Sequence, residues 1–239
     1  LGTAGSFYYL KDMIHGDRFV MMSGDLFFDI DFQRMIHFHE EKGAVATLFV
    51  HPNGHPFDSD LLVLDHDDKI TAFDSKHNVR NYWYENCVNA GIFVFEKKIC
   101  DYVPEPVKRN LENDVIKGML EAGEPIYGYC SPEYVKDVGT VERVNQTLAD
   151  IERGVIAGKC LKNKQRCIFM DRDGTINQYK GLVYKGEDFT LEDCAVDAIR
   201  KINQSGRLGI VITNQPVVAR GLCEIEDVEN IHKKMETLL

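Results

Sequence analysis

The sequence has no C-x-x-C pair, no excess of basic residues and no methionine at its start. Its longest apolar runs fall far short of the roughly 18 residues of a membrane span. Each absence closes a class. Without a long apolar run there is no expected transmembrane helix. The opening Leu1-Gly2-Thr3-Ala4-Gly5 lacks the basic start and apolar stretch of a signal peptide. Seven cysteines, at 87, 100, 130, 160, 167, 194 and 223, are an odd and scattered set. That pattern argues against a disulfide framework or zinc site and for reduced thiols in the cytoplasm. Asp and Glu number 38 against 28 Lys and Arg, a formal charge of -10. An acidic chain is a poor partner for nucleic acid or an anionic membrane. A phosphorylated ligand stays open, because a metal ion or helix N-terminus can outweigh net charge locally. The missing methionine leads us to expect a chain that begins inside a longer reading frame or after processing.

What is present is ordinary for a globular protein. Apolar residues make up 44% and charged residues 28% of 239 positions, which excludes a disordered, collagen-like or repeat-dominated chain. The length is ample for one core and tight for two. The pattern alternates strands and helices. Arg18–Met22, Ala46–Val50, Leu61–Leu64, Lys69–Phe73, Val88–Phe95 and Ile126–Cys130 read as strands. Asp31 is placed to cap a helix running to about Lys42, ended by Gly43. Asn113–Ala122 and Val141 to about Ile156 have helical spacing, the latter through Val144, Leu148, Ile151 and Val155. A basic polar stretch from Lys159 to Arg166 reads as a linker. Then the pattern restarts. Cys167–Met170 is a strand, Thr190–Asp193 resembles a capping box, and a helix follows to Gly206. Leu208–Ile212 has the continuous apolarity of a parallel strand buried on both faces. Glu224–Leu239 is a final helix. The expected fold is α/β, with two Rossmann-like parallel-sheet segments, at 1–160 and 165–239.

In the second segment, Asp171-Arg172-Asp173-Gly174-Thr175 directly follows a strand. In extended backbone the two carboxylates point to opposite faces. At a strand end the chain turns, which Gly174 permits, and both can reach one pocket. Open parallel sheets bind ligands at such ends. Paired acids there can hold Mg²⁺, or one can attack phosphorus while the other moves a proton. Thr213-Asn214-Gln215 ends the next strand. The lesser alternative is that Asp171 and Asp173 are turn residues and Thr213 a plain strand end.

MDRDGTIN (Met170–Asn177) and TNQ (Thr213–Gln215), followed by Val218-Ala219-Arg220-Gly221, resemble the haloacid dehalogenase superfamily. Within it they are similar to heptose-1,7-bisphosphate and histidinol phosphatases. The resemblance implies that Asp171 is a nucleophile forming an aspartyl-phosphate, and that Asp173 is the general acid/base. Asp171 and Asp173, the latter through its backbone carbonyl, would hold Mg²⁺. Thr213, Asn214, Gln215 and Arg220 would bind the phosphoryl group. Pro216 departs from the family's Ser and removes one N–H donor. The superfamily's downstream Lys and acidic motif, and this branch's Cys/His zinc loop, are expected outside the sequence. The chain itself holds no ligands for zinc.

In the first segment, Asp25 lies just past a strand and Asp137 precedes a Gly-Thr turn. Either alone is an ordinary turn acid. LGTAG (1–5), FVMMSGD (19–25), NAGIF (89–93), LEND (111–114) and KDVGT (136–140) together, in this order, resemble sugar-phosphate nucleotidylyltransferases. The resemblance implies nucleotide contacts from Gly2, Thr3, Ala4 and Gly5. It implies sugar contacts from Asn89, Gly91 and Glu112, and Mg²⁺ at Asp25 and Asp137. LGTAG is similar to mannose- and heptose-1-phosphate guanylyltransferases, which implies GTP rather than UTP or CTP. The family's G-x-G-T-R loop is expected upstream of Leu1.

The combined expectation is a bifunctional cytoplasmic enzyme. It would dephosphorylate a sugar bisphosphate, such as a heptose 1,7-bisphosphate, and join a nucleotide to the sugar 1-phosphate. Sugar phosphates and a nucleoside triphosphate are its expected partners, with no nucleic acid and no membrane; the sequence does not speak to oligomeric state. The alternatives are a non-catalytic fragment that binds sugar phosphate or Mg²⁺, and a histidinol-phosphatase-like enzyme. His37 and His39, two apart on a helix, face different ways and are read as solvated or packed. Tyr82-Trp83-Tyr84 is read as sugar-pocket lining or plain packing.

Overall fold

A computed structural model describes residues 1–239. The chain forms two compact units. One contains Leu1–Leu26, Asp31–Lys76 and Cys87–Ser131; the other contains Phe27–Ile30, His77–Asn86 and Pro132–Leu239. No helix is long and apolar enough to cross a membrane.

The first unit is built on α1 (Phe7–Leu10), β1 (Arg18–Met22), α2 (Phe32–Glu41), β3 (Ala46–His51), the hairpin β4 (Leu61–Leu64) and β5 (Ile70–Asp74), β6 (Val88–Glu96), α3 (Lys117–Glu121) and β7 (Ile126–Cys130). Between β1 and α2, β2 (Leu26–Asp29) carries the chain into the other unit. The central sheet has the order β1-β6-β3-β7. β6 is antiparallel to both β1 and β3, and only β7 runs parallel to β3. The expected parallel sheet is therefore a mixed one. The reason is the excursion between β3 and β6. It is a β-hairpin rather than a helical crossover, so β6 returns antiparallel. The apolar run of β3 buries five residues in succession. Phe93 stacks on Phe95 at 5.2 Å, and Phe7 meets Phe95 edge-on at 6.1 Å.

The helix caps follow the sequence closely here. The Asp31 carboxylate accepts from the Gln33 N–H at 3.1 Å, and Gly43 ends α2 at φ 57°. His39 is 1% exposed. Its Nδ1 lies 2.8 Å from the Thr47 hydroxyl and its Nε2 3.2 Å from Glu96. One neutral tautomer satisfies both, with Nε2–H donating to Glu96 and Nδ1 accepting from Thr47. Burial, the main cause, pushes the His39 pKa down against the pull of Glu96. His37 instead pairs with Glu41 at the surface. The helix expected from Asn113 starts as a π-helical turn, Leu111–Ile116, before α3. Its N-cap Asn110 accepts from Glu112 and Asn113 N–H at 3.0 and 2.8 Å.

The second unit holds β8 (Tyr134–Asp137), which pairs with β2. It continues with α4 (Val141–Glu152), α5 (Val155–Lys159), β9 (Cys167–Met170), α6 (Ala195–Gln204), β10 (Leu208–Val211) and α7 (Ile225–Leu238). The single helix expected from Val141 breaks in two because Gly154 turns left-handed at φ 71°. Val144, Leu148 and Ile151 are exposed, so only Val155 of the expected stripe is buried. α6 starts without a side-chain cap, and the capping box stands instead at Glu224 and Asp227 of α7. β9 and β10 pair in parallel as expected. They are not buried on both faces, however: Phe169 is 61% and Ile212 59% exposed. The core of this unit lies beside them, where Ile176, Val183 and Phe189 pack on Ile231 and Met235 of α7.

Candidate functional site

In the first unit, four of the five nucleotidylyltransferase-like motifs converge through backbone packing. The LGTAG loop lies against residues 107–111. Arg109 N–H donates to Leu1 C=O at 3.0 Å, and Ala4 N–H to Arg109 C=O at 3.1 Å. A Cβ on Gly5 would stand 2.3 and 2.4 Å from the Leu1 and Val107 carbonyls, so glycine alone fits there. The Thr3 hydroxyl accepts the Leu111 N–H at 2.8 Å, which ties the loop to the π-helical turn carrying Glu112. Such turns concentrate at functional sites. The Asn89 amide donates a short hydrogen bond to Glu112, and the Asn89 carbonyl oxygen accepts from Gly91 N–H at 3.0 Å. Gly91, at φ 78°, returns its own carbonyl to Ser23 N–H at 2.9 Å. A Cβ there would meet the Ser23 hydroxyl at 2.9 Å. The result is one wall of hydroxyl, amide and carboxylate groups: Thr3, Ser23, Asn89 and Glu112. It suits a polyhydroxylated ligand. Ser23 was not singled out from sequence, although it sits two residues before Asp25.

The fifth motif lies in the other unit. Asp137 takes the Gly139 N–H at 2.6 Å and the Arg143 guanidinium at 2.7 Å. The Gly139 bond first, then Arg143, hold its carboxyl below the usual range. Asp137 thus shapes the turn into α4, whose N-cap Thr140 accepts from Arg143 N–H at 3.3 Å.

In the second unit, β9 and β10 end side by side, with Ile212 N–H donating to Met170 C=O at 2.8 Å. Asp171 follows the end of β9 directly, and Thr213 stands two residues past the end of β10. Asp171 is exposed, its Oδ1 accepting from Arg172 N–H at 2.7 Å. Gln215 joins the two motifs: its amide donates to Thr213 at 2.6 Å and to Asp173 at 2.7 Å. Asp173 also accepts from Asn177 at 3.0 Å. Asn214 and Arg220 are themselves exposed, on either side of the fully buried Val217.

The residue missed from sequence is Arg172. It is fully buried, with its guanidinium 3.0 and 3.1 Å from the two Asp173 oxygens. It also reaches the Val183 carbonyl at 3.5 Å and His232 Nε2 at 3.4 Å. Burial pushes the Asp173 carboxyl up. The bonds from Gln215 and Asn177 and the Arg172 charge outweigh burial and hold it low. Burial first, then Arg172, keep His232 neutral and able to accept. No sequence pattern announces a buried arginine between two acids; only its pairing in space does.

No three His, Cys, Asp or Glu side chains come together as a metal cage. Mg²⁺ rarely needs one, being held by one or two carboxylates and substrate phosphates. The exposed carboxylates of Asp25 and Asp171 fit that role. Those of Asp137 and Asp173 are already taken by arginines.

The family model described as Nucleotidyl transferase matches residues 1–154. A mannose-1-phosphate guanylyltransferase of Mycobacterium tuberculosis is 28% identical over 163 residues, covering 68% of this chain and 45% of that protein. A UTP–glucose-1-phosphate uridylyltransferase of Synechocystis sp. is 29% identical over 169 residues, covering 69% and 42%. The chain thus spans less than half the length of these curated relatives. The structure of HddC from Yersinia pseudotuberculosis matches with a TM-score of 0.52 at 18% identity, over 63% of each chain. A second HddC structure is a complex with GMP-PN. At that identity the likeness speaks for the α/β fold.

Proposed function

The chain belongs to the nucleotidyl transferase family through residues 1–154, and on that footing we propose that its first segment, residues 1–160, joins GTP to a sugar 1-phosphate. A phosphate oxygen of the sugar attacks the α-phosphorus and pyrophosphate leaves. Charge builds on the phosphates, so positioning and electrostatics dominate. Of the four loop residues the resemblance names, the exposed Gly2 and Thr3 line the nucleotide side, while Ala4, fully buried in the apolar core, and Gly5, also buried, hold the loop in place. Asn89, Gly91 and Glu112 hold sugar hydroxyls. Bound Mg²⁺ would supply charge neutralisation at the phosphates, with Asp25 and Asp137 as the acids the resemblance implies for it. The observation that carries this reading is the Thr3–Leu111 and Asn89–Glu112 bonding, which draws separate motifs into one wall. Guanine as the base is supported by the guanylyltransferase relative and by the GMP-PN bound to HddC. Pyrophosphate release from GTP with a panel of sugar 1-phosphates tests it. Asn89→Ala and Glu112→Gln should each lower kcat/KM about tenfold, the scale of one hydrogen bond to a charged group. No pyrophosphate from any sugar 1-phosphate would overturn it.

We further propose that residues 165–239 form a haloacid dehalogenase-type phosphatase segment acting on a sugar bisphosphate such as heptose 1,7-bisphosphate. Support comes from the adjacent ends of β9 and β10 and from Gln215 bridging Thr213 to Asp173. Asp171 Oδ attacks phosphorus, the sugar oxygen leaves and takes a proton from solvent water, and a second water then hydrolyses the aspartyl-phosphate. Thr213, Asn214, Gln215 and Arg220 hold phosphate oxygens. The ionised Asp173 is suited to take the proton from the attacking water; donating one to the leaving group works against Arg172. Mg²⁺ would sit on Asp171 and the Asp173 backbone carbonyl. Phosphate release that vanishes in Asp171→Asn is the expected result. A second reading, binding without turnover, is favoured by one observation: both oxygens of Asp173 are already bonded to Arg172. Substrate binding by calorimetry without phosphate release would decide for it.

A further inference from the structure

The buried Arg172 fastens the turn after β9 twice. Its backbone carbonyl accepts from Ile176 N–H at 2.9 Å and from Asn177 N–H at 3.1 Å. Its guanidinium turns one edge to Asp173, with Nε 3.3 Å from Oδ1 and Nη2 3.0 and 3.1 Å from the two oxygens. The far nitrogen, Nη1, reaches His232 Nε2 at 3.4 Å. Helix α7 brings the imidazole there through its core face. Val228, Ile231 and Met235 are buried beside it on the helix, and the last two pack on Ile176, Val183 and Phe189. One core therefore seats both the imidazole and the turn. For the Arg172 N–H to donate, Nε2 must be bare, so the ring carries its proton on Nδ1. Burial first, then the Arg172 charge, favour that neutral ring.

The choice of a neutral acceptor has a consequence for Asp173. A guanidinium with no exposure needs an acceptor for each N–H it turns inward. A carboxylate at position 232 would supply one, but it would compete with Asp173 for the positive charge. An apolar residue would leave the N–H unpaired and the guanidinium free to lean away. A bare imidazole nitrogen satisfies the N–H and leaves the charge to Asp173. We propose that His232 is a positioning residue of the phosphatase site, the neutral acceptor that steers the Arg172 guanidinium onto Asp173 without competing for its charge. The inference rests on the phosphatase reading of residues 165–239.

Nitrogen NMR of the whole chain at neutral pH should show His232 as the Nδ1–H tautomer. A proton on Nε2 would overturn the proposal. Substitutions then separate acceptor from charge. His232→Gln keeps a neutral acceptor and should hold kcat for phosphate release close to that of the unaltered chain. His232→Leu and His232→Glu should each lower kcat about tenfold with KM kept, the scale of one charge-assisted bond lost or diverted. Hydrogen exchange at Arg172 Nε should quicken in those two variants and not in His232→Gln. Gln and Glu variants that behave alike, in turnover or in exchange, would sink the idea. The tautomer is read in the unaltered chain, so the proposal stays open to refutation even where a variant fails to fold. If no version releases phosphate, the phosphatase reading fails, while tautomer and exchange still decide how Arg172 is held.

Discussion

The β1-β6-β3-β7 sheet and the β9–β10 pair arise from similar apolar runs, but they meet different fates. β3 is buried along five successive residues, whereas β9 leaves Phe169 61% exposed. The two motif regions differ in the same way. In the first unit the wall of Thr3, Asn89 and Glu112 is assembled by backbone packing around glycines, with neutral groups and one acid. In the second, Asp173 is held by a buried guanidinium and amides. Burial organises one region and charge pairing the other, so the two should respond to different insults.

The largest separation should come from core truncation. Phe95→Ala removes a fully buried ring and should cost about 3–5 kcal/mol in urea unfolding. A loss under about 1 kcal/mol would mean that the first unit is not held by this core.

Removing the cation should come next. Arg172→Met leaves Asp173 partly buried and unpaired, at a cost of about 3 kcal/mol. Adding Asp173→Asn should recover much of that loss, as a double-mutant cycle would show. Equal destabilisation with and without the second change would break the claim that charge pairing organises this region.

A smaller effect should distinguish the units by pH. The folded pKa of His39 lies below its unfolded value, so the unfolded chain binds more protons. Stability from this group is present above the unfolded value near 6.5 and is lost as pH falls through the folded value. His39→Gln should flatten that fall in the first unit, followed by chemical denaturation at stepped pH. The smallest change should be Phe169→Ala, within about 0.5 kcal/mol because the ring is mostly in water. A loss of several kcal/mol there would show that the exposed face is covered in solution.

Much of the local structure was legible. Period-two and continuous apolar runs located β1, β3 to β7, β9 and β10. Asp31 and Gly43 bounded α2, and the turn at Gly174 followed from its lack of a Cβ. The motifs also showed which residues belong together as Thr3, Asn89, Gly91 and Glu112. Other features were not legible because they depend on partners distant in the chain. A helical stripe at Val144, Leu148 and Ile151 shows which side of α4 is apolar, not whether anything covers it. A capping signature at Thr190 did not prevail, because that residue is held elsewhere: Gln178 N–H bonds its carbonyl and Lys180 its hydroxyl. The short β2 and β8 strands were missed, each four residues long and stabilised only by pairing with the other.

By itself the sequence determined where the chain extends, coils and turns, and the order of motifs that marks residues 1–154. These depend on neighbours within a few positions, through side-chain period, caps and glycine. The tertiary structure decided the rest: the mixed direction of the central sheet, the neutral His39 and the buried Arg172 beside Asp173. It also decided the seat of Trp83 beside Lys234 of α7. Each depends on which distant group replaces the water lost on burial, and that partner is chosen only when the chain has folded.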